Sequence, residues 1–374
     1  MKNDKETEIY VHIPFCERKC AYCDFLSFKA GEDVHRAYTE SIIKQIEAKR
    51  KQVGPIRVST CFFGGGTPSA IDSKLIVKIL DKLKECFDFD EDAEISIEVN
   101  PNSASEEKLA EYRKAGFNRL SMGLQSANND ELRVLSRLHT YEEFLTAFYA
   151  AREAGFENIN VDIMSALPGQ TLSTYANTLE KVTALNPEHI SAYSLIIEEG
   201  TPFFDHYSDG CGLPGEDADR EMYHFTKKFL SEHGYSRYEI SNYSKPGFEC
   251  RHNCGYWQRR DYLGFGIGAA SLFNHERLKC HESIDRFLNE DYSEEKETLA
   301  VNDEMSEFMF LGLRLTRGVS KAEFYSLFNR DVCEIYGNQI AKLKDEKLME
   351  DKDGFLFLTD FGLDVSNYAM SEFV

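Results

Sequence analysis

The chain of 374 residues lacks any run of about 18 consecutive apolar residues, which is what a membrane-spanning helix requires. Its charged N-terminal stretch MKNDKETEIY also lacks the apolar core of a signal peptide. Low-complexity stretches are absent, and the chain is 42% hydrophobic and 29% charged, as is usual for a globular protein. We therefore expect a folded cytoplasmic protein with no integral membrane segment.

Positive charge is scarce as well. The chain carries 43 Lys and Arg residues against 64 Asp and Glu residues, which gives a net charge of −21. A surface of this sign repels polyphosphate chains unless a local basic patch overrides it. The charge balance therefore argues against nucleic acid as a partner.

Three of the ten cysteines lie in the stretch IPFCERKCAYCDF, residues 13–25. Clustered cysteines in a reducing compartment favour metal binding, and a disulfide would leave one of these three sulfurs over. A zinc site would need distant ligands such as His12 and Cys61, and a ferredoxin-type cluster would need a fourth cysteine, which is not nearby. On a cube of four irons, three thiolates leave one iron open to a small molecule with an amine and a carboxylate.

A short apolar or β-branched run followed by a stretch of helical period recurs between residues 8 and 197. The predicted strands cover residues 8–13, 58–63, 94–99, 119–124, 158–164 and 189–197. The predicted helices cover residues 33–52, 72–87, 105–115, 128–154 and 171–185. This alternation implies parallel strands joined by right-handed crossovers, in an α/β barrel short of eight units or in an open sheet.

Residues with chemical capability follow the ends of these strands. Cys16 follows the first strand, GGGTP at 64–68 follows the second, and Glu98 ends the third. Gln125 follows the fourth strand, and Asp162 lies in the last half of the fifth. Because parallel α/β folds bind ligands at the C-terminal ends of their strands, we expect one site there. The glycines would let the backbone approach a ligand, and exposed N–H groups of that loop could hold a carboxylate.

The pattern changes after residue 200. A helix is predicted over residues 216–234 and a strand over 235–241, and a glycine-rich, aromatic region follows. The acidic stretch 288–298 is predicted to be a linker. Helices predicted over 303–330, 332–348 and 359–370, with the short strand GFLFLT, indicate a small C-terminal helical domain of winged-helix type.

The spacing C-x3-C-x2-C, with Tyr22 before the last cysteine, resembles the signature of the radical S-adenosylmethionine (SAM) superfamily. The resemblance implies a partial (β/α)6 barrel of TIM type, which agrees with the strand–helix units counted above. It also implies a 4Fe-4S cluster held by Cys16, Cys20 and Cys23, whose remaining iron takes the amine and carboxylate of SAM.

Further stretches resemble the oxygen-independent coproporphyrinogen III oxidase family: YVHIPFC (10–16), FFGGGTPS (62–69), SIEVNP (96–101), RLSMGLQS (119–126), LSRLHT (135–140), LPGQT (167–171) and EISNYSKPG (239–247). The likeness runs from about residue 8 to the C-terminus. It implies SAM-binding residues at Tyr10, Tyr22, Gly65, Gly66, Thr67, Glu98, Gln125, Arg137 and Asp162. One departure is Ser165 and Ala166, where the family usually shows an aromatic residue and a glycine.

Three features place the resemblance in the HemW, or heme chaperone, branch of that family. The oxidase branch has a further cysteine where this chain has Phe25, and it carries a longer extension before the position of Tyr10. In addition, HNCGYW at 252–257 resembles the HNxxYW motif of the heme chaperone branch. The resemblance implies a heme site formed by His252, Tyr256 and Trp257, the only tryptophan of the chain.

The chemistry of these side chains is compatible with heme. A neutral imidazole is a good axial ligand of heme iron, and aromatic rings offer a flat apolar surface to a macrocycle. The neighbouring Arg251, Arg259 and Arg260 could pair with the heme propionates. Cys250 and Cys254 also flank the histidine, and we interpret their spacing as coincidental rather than as a second metal site.

The predicted function is therefore that of a heme chaperone, with 4Fe-4S, SAM and heme as cofactors and an unidentified heme-acceptor protein as partner. The alternative is oxygen-independent coproporphyrinogen III oxidase or another radical SAM enzyme acting on a tetrapyrrole, so enzymatic activity stays an open question. An electron donor is required if SAM is cleaved, and the formation of a homodimer is also open. The predicted domains are a radical SAM barrel over 1–240, a heme-motif region with linker over 241–298 and a C-terminal HemN_C-like domain over 299–374.

Overall fold

The computed structural model describes residues 6–374, so residues 1–5, with which the predicted first domain begins, lie outside the described part of the chain. Six parallel strands stand in chain order in one sheet. They are β1 Glu6–Ile13, β2 Arg57–Gly65, β3 Asp88–Val99, β4 Arg119–Gln125, β5 Ile159–Ser165 and β6 His189–Ser194. The predicted order of parallel strands and helices is confirmed, since each predicted strand overlaps one of these.

Most of the helices that connect these strands bury their apolar faces on the sheet. They are α1 Glu32–Val53, α2 Ser73–Cys86, α3 Glu106–Ala115, α4 Asn129–Val134, α5 Tyr141–Glu153 and α6 Leu172–Ala184. After β6 come α7 Pro202–Tyr207 and α8 Glu216–Glu232. In the described part of the chain, every helix is too short or too polar to cross a membrane.

One predicted helix, 128–154, is two helices in the structure. Ser136 takes a left-handed backbone conformation with φ 60°, which ends the helical course after α4. Thr140 then starts α5 with a reciprocal pair of hydrogen bonds to Glu143, a capping box. The loop between α4 and α5 carries Arg137, and the break in the helix allows this side chain to turn toward the strand ends.

The sheet extends beyond the six parallel strands on both sides. The chain continues through β7 Ser236–Arg237, β8 Asn242–Ser244, α9 Arg251–Trp257, β9 Asp261–Phe265, β10 Ala270–Phe273, β11 Glu276–Cys280, α10 Ile284–Leu288 and β12 Glu294–Thr298. Strand β9 pairs in parallel with β1, and β10, β11 and β12 follow it in antiparallel order. Strands β8 and β7 lie beyond β6 at the other edge, which gives twelve strands in total.

Two sequence predictions in this region are wrong. The strand predicted over 235–241 is shorter, because the buried Glu239 accepts hydrogen bonds from the Ser241 N–H (2.8 Å) and the Asn242 side chain and turns the chain between β7 and β8. The predicted acidic linker is wrong for its second half, which forms the outermost strand β12. An edge strand with one face in solvent accommodates charged side chains, so composition alone does not identify it as a loop.

The C-terminal segment builds a second, smaller core. It contains α11 Val301–Gly312, β13 Val319–Ser320, α12 Lys321–Phe328, α13 Val332–Asp345, β14 Met349–Lys352, β15 Phe355–Leu358, α14 Asp360–Asp364 and α15 Ser366–Ser371. The helix predicted over 303–330 is interrupted, because Gly318 adopts φ 69° and Ser320 caps the new helix α12. Three short strands in the order β13-β15-β14 accompany the helices, which fits the predicted winged-helix type.

Candidate functional site

A cavity of about 410 Å³ opens at the C-terminal ends of the parallel strands and reaches inward to α9. It brings together the three clustered cysteines, all nine predicted SAM-binding residues and two of the three predicted heme residues. These are Cys16, Cys20, Cys23, Tyr10, Tyr22, Gly65, Gly66, Thr67, Glu98, Gln125, Arg137, Asp162, His252 and Tyr256. Trp257 does not line the cavity.

The cysteine loop is fixed at its base and exposes its sulfurs to the cavity. The Cys16 N–H donates to the Phe28 carbonyl (3.0 Å), and the Cys23 N–H donates to the Cys20 carbonyl (3.2 Å). Arg137 Nη1 lies 3.6 Å from Cys20 Sγ. Partial burial raises the pKa of the Cys16 and Cys23 thiols. A positive metal cluster would reverse this effect, because coordination stabilises the thiolate.

Cys16, Cys20 and Cys23 all line the cavity. Among residues 6–374, no three His, Cys, Asp or Glu side chains converge as ligands of one metal ion. Thiolates that bind separate irons of a cluster do not have to converge on one point. The zinc alternative also lacks its distant ligands, because His12 Nε2 bonds the Leu26 carbonyl at 2.9 Å and Cys61 is fully buried in the sheet core.

The glycine loop after β2 packs directly on the cysteine loop. A Cβ on Gly65, which has φ 113°, would stand 2.5 Å from the His12 ring, and one on Gly66 would stand 2.8 Å from the Phe15 carbonyl oxygen. Only glycine fits at these two positions. The sequence expectation of free N–H groups here is wrong, because the loop N–H groups donate within the protein, Gly66 to the Ile13 carbonyl at 2.9 Å and Gly65 to Glu98 at 3.2 Å.

Two buried carboxyl groups, Glu98 and Asp162, line the cavity. Burial, together with the nearby Asp162, raises the pKa of Glu98 to about 8. Burial also raises the pKa of Asp162, although Asn160 Nδ2 (2.7 Å) and Ser121 Oγ (3.3 Å) donate to it. Glu98 is therefore mostly protonated at neutral pH in the absence of a ligand, and a cation in the cavity would favour its ionised form.

Arg137 and Gln125 offer unused polar atoms to the cavity. Arg137 Nη2 is held by the Asn100 side-chain oxygen (2.6 Å) and the Gly123 carbonyl (2.8 Å), while its Nε has no partner in the described structure. Gln125 has φ 66° next to an irregularity in the pairing of β4 with β5, and its Oε1 is likewise without a partner. Buried polar atoms without partners are costly in a folded protein, so these positions fit a polar ligand.

His252 lies at the inner end of the cavity with both ring nitrogens occupied. Its Nδ1 lies 2.7 Å from Thr60 Oγ1, and its Nε2 lies 3.0 Å from the Tyr256 hydroxyl. Burial lowers the pKa of His252 to about 3 and raises that of the adjacent Glu8 well above its ordinary value. The 3.9 Å approach of Glu8 Oε2 to His252 Nδ1 is therefore a contact between neutral groups.

The helix that carries His252 is anchored from below by Glu94. This carboxylate accepts the Arg251 N–H at 3.1 Å and the His252 N–H at 3.2 Å, which satisfies donors in the first turn of α9. The Phe62 ring stacks on His252 at 5.3 Å and on Tyr10 at 6.4 Å. Phe62 thus links a predicted heme residue to a predicted SAM residue within one wall of the cavity.

The three arginines predicted for the propionates are already paired. Arg251 lies 3.3 Å from Asp92, and Arg260 lies 3.0 Å from Glu6. Arg259 forms ion pairs with Glu304 (2.9 Å) and Glu307 (2.8 Å) of α11. The basic residues next to the motif therefore serve to fix α9 and its flanks on neighbouring elements.

Trp257 also faces the C-terminal segment. The Arg314 guanidinium lies 4.2 Å from the centre of its indole ring, a cation–π contact. Two cavity residues that the sequence predictions did not include are Arg119 and Asn253. The signal for Arg119 was available, because Arg119, Ser121, Gly123 and Gln125 alternate along β4 and all four line the cavity.

The departure at Ser165 and Ala166 lies beside this site. Ala166 has φ 57°, a conformation that is strained for alanine and natural for glycine, which explains the glycine usual in the resembling family. Ser165 hydrogen-bonds Ser194 at 3.1 Å, where a large aromatic side chain would be too bulky to make that contact.

The chain matches two family models, the Radical SAM superfamily over residues 10–182 and the HemN C-terminal domain over residues 299–365. Two similar relatives are named Heme chaperone HemW. The one from Lactococcus lactis is 33% identical over 99% of this chain and 98% of its own length, and the one from Bacillus subtilis is 33% identical over 98% of both. Coproporphyrinogen III oxidase (HemN) from Escherichia coli has a similar solved structure, with TM-score 0.85 and 23% identity, covering 99% of this chain and 90% of that one.

Proposed function

The chain belongs to the radical SAM superfamily and, within it, to the heme chaperone HemW family, and on this premise we propose that it binds heme at His252 and transfers it to an acceptor protein. The observation that carries the proposal is the shared cavity. One chamber is lined by the cysteine loop at its mouth and by His252 and Tyr256 at its inner end. The presence of Phe25 in place of a further cysteine is also in keeping with a carrier rather than with the oxidase branch.

In this proposal, Cys16, Cys20 and Cys23 hold a 4Fe-4S cluster, which when bound supplies an electron for reductive cleavage of SAM. The donor set fits the group, since three thiol side chains line one cavity and would leave one iron of the cluster without a protein ligand. Gln125 Oε1 and Arg137 Nε, which have no partner in the described structure, would form hydrogen bonds with polar groups of SAM.

Glu98 and Asp162 give the cavity a preference for a cationic ligand. Their raised pKa values reflect two carboxyl groups that burial keeps from ionising together. The sulfonium charge of SAM would supply the missing counter-charge. The predicted SAM contacts at Tyr10, Tyr22, Gly65, Gly66 and Thr67 complete this proposed site, with the glycines acting through close packing rather than through free N–H groups.

Heme ligation requires His252 to change partners. Its neutral imidazole has the protonation state that iron requires, but Nε2 is engaged by the Tyr256 hydroxyl and Nδ1 by Thr60. Freeing Nε2 costs about 1 kcal/mol for one hydrogen bond, whereas Nδ1 can keep its bond to Thr60 and orient the ring. We propose that the Tyr256 hydroxyl gives up its hydrogen bond to His252 Nε2, so that this nitrogen can bind the iron. Thr60 would keep its hydrogen bond to Nδ1 and orient the ring.

A hemin titration of His252→Ala tests the heme assignment. The wild-type protein should develop a Soret band with one equivalent of hemin, and His252→Ala should lose most of it. His206→Ala, which removes an exposed histidine from α7, is the matched control and should bind as the wild type does. Unchanged hemin binding by His252→Ala would show that another residue ligates the iron.

Anaerobic reconstitution with iron and sulfide tests the cluster assignment. Cys16→Ala, Cys20→Ala and Cys23→Ala should each abolish the brown absorbance of the reconstituted protein, while Cys86→Ala and Cys333→Ala should retain it. The control cysteines lie in or next to helices and do not line the main cavity. Equal loss in all five variants would contradict the assignment.

The oxidase alternative is decided with the same reconstituted protein. Incubation with reductant, SAM and coproporphyrinogen III should yield no protoporphyrinogen. Formation of that product would show that heme transfer is not the only function of the chain.

The proposal includes three further elements. An acceptor protein takes the heme, an electron donor serves the cluster if SAM is cleaved, and the cytoplasm is the working location because its reducing conditions suit ten free thiols. We also propose that a domain boundary lies near residue 298, since a separate apolar core and the HemN C-terminal match both begin close to it. The predicted middle region, 241–298, adds five strands to the main sheet.

A further inference from the structure

Arg119 is a buried cation that lines the cavity. Its side chain is only 2% exposed, yet it lines the chamber together with His252. In the described part of the chain Arg119 makes no hydrogen bond and no ion pair, and its Nε is among the buried atoms without a partner. Burial opposes its charge, but the nearby Cys250, Glu94 and Asp162 outweigh burial and raise the pKa of Arg119, so the side chain stays a cation without a direct partner.

Burial removes hydration from this guanidinium, and the protein offers its Nε no hydrogen-bond acceptor in exchange. Arg119 stands at the start of β4, on the inward-facing set of side chains that ends with Gln125. The planar fork of five N–H donors fits a carboxylate in two parallel hydrogen bonds. The position therefore calls for an anionic ligand group that enters from the cavity.

Arg119 and His252 line the same chamber and interact electrostatically. The positive charge of Arg119 contributes, after burial, to the lowered pKa of His252. Asn253, from the same turn of α9, brings a side-chain amide to the same space. The inner end of the cavity thus combines a neutral imidazole, a cation and an amide. In contrast, Arg251, Arg259 and Arg260, which lie in or next to α9, all form ion pairs with acidic side chains.

We propose that Arg119 is the anchor for a propionate carboxylate of the heme, an inference that rests on the proposed heme function. Iron ligation by His252 and carboxylate binding by Arg119 then hold one molecule at two points. The carboxylate of SAM is the competing source of the same chemistry, and the experiment below separates the two.

The test compares hemin with hemin dimethyl ester, which keeps the macrocycle and iron but has no carboxylate. Both are titrated into wild-type protein, Arg119→Met and Arg260→Gln, with the Soret band and quenching of Trp257 fluorescence as readouts. Arg119→Met should bind hemin about tenfold to hundredfold more weakly, as expected for loss of a charge-assisted bond. It should bind the ester as the wild type does, and Arg260→Gln should bind both compounds normally.

Two results would overturn the inference while leaving heme binding intact. One is unchanged hemin affinity in Arg119→Met, and the other is an equal loss of hemin and ester affinity, which would make Arg119 a structural counter-charge for Glu94 and Asp162. Urea unfolding separates these roles further. If Arg119 stabilises the fold as a counter-charge, Arg119→Met should have a lower urea midpoint of unfolding. If Arg119 serves only to bind the ligand, the midpoint should be unchanged or higher.

The SAM source is tested by equilibrium dialysis of SAM against reconstituted protein. Arg119→Met should retain wild-type SAM affinity, and a selective loss of SAM with normal hemin binding would overturn the assignment. Wild-type protein that bound neither hemin nor its ester would reject the proposed function itself, and this inference with it. The two failures are thus distinguishable.

Discussion

Gly255 lies where α9 presses on the buried carboxyl group of Glu8, and its replacement by alanine tests how tightly the helix is seated. A Cβ at this position would stand 1.6 Å from Glu8 Oε1 and 2.2 Å from its Cδ, far inside any real contact. Glu8 is fully buried, so the clash has to be relieved inside the core. Overpacking of this kind costs about 1–3 kcal/mol, and the better helix propensity of alanine returns about 1 kcal/mol.

The matched control is Gly337→Ala in α13, where an added Cβ meets nothing within 4 Å. Gly337 follows Tyr336, whose φ of −115° and ψ of 21° interrupt α13, so this variant should change the unfolding free energy by about 1 kcal/mol or less. Urea unfolding followed by Trp257 fluorescence measures both variants, and the only tryptophan of the chain ends α9 itself. We expect Gly255→Ala to be less stable than Gly337→Ala by about 1–3 kcal/mol.

A double-mutant cycle then identifies the cause. In the Glu8→Ala background the obstacle is gone, so Gly255→Ala should become neutral or slightly stabilising, with a coupling energy of about 1–3 kcal/mol between the two sites. Equal stabilities of Gly255→Ala and Gly337→Ala, or a coupling near zero, would refute the seating of α9 on Glu8.

Three more predictions concern charge, packing and backbone strain. Because the pKa of Glu98 is raised to about 8 and a cationic ligand favours its ionised form, SAM binding should release a proton from Glu98. SAM affinity measured by equilibrium dialysis should therefore rise with pH up to about 8 and then level off, and Glu98→Gln should remove this pH dependence. Gly66→Ala should push the added Cβ against the Phe15 backbone and so displace Cys16, which predicts less iron bound per chain after reconstitution; wild-type iron content would contradict the packing. Lys347 is exposed with φ 62° just after α13, so Lys347→Gly should raise the unfolding free energy by about 1 kcal/mol, whereas Lys344→Gly within the helix should lower it by about 1 kcal/mol. The opposite order of stabilities in urea unfolding would argue against strain at this helix end.

The features that the sequence predicted well are those with local signals. Short apolar runs that alternate with stretches of helical period predicted the six parallel strands. A strand covered by crossover helices is buried and therefore needs such an apolar run. The rule that parallel strands bind ligands at their C-terminal ends then grouped Cys16, Glu98, Gln125 and Asp162 correctly in one cavity. Their individual roles toward the cluster and SAM remain predictions.

The features that were not predicted depend on contacts between distant parts of the chain. Nothing local in β9 indicates that it pairs in parallel with β1, and this pairing is what brings α9 under the strands and His252 into the cavity. The roles of the arginines follow the same logic. Arg260 appears in the sequence as a free cation beside the motif, and only the fold places Glu6 next to it. Arg119, by contrast, is buried at the inner side of the cavity, and its Nε has no hydrogen-bond partner in the described structure.

The outermost strand β12 bears on how a second copy of the chain could approach. An open sheet offers its unpaired backbone groups to any strand that comes alongside, and edge pairing is the simplest way for two such sheets to join. Here Glu295 and Glu297 are exposed on that edge. Two copies paired there with Glu295 opposite Glu297 would set carboxylates against carboxylates, so the charges on this edge disfavour that register of pairing.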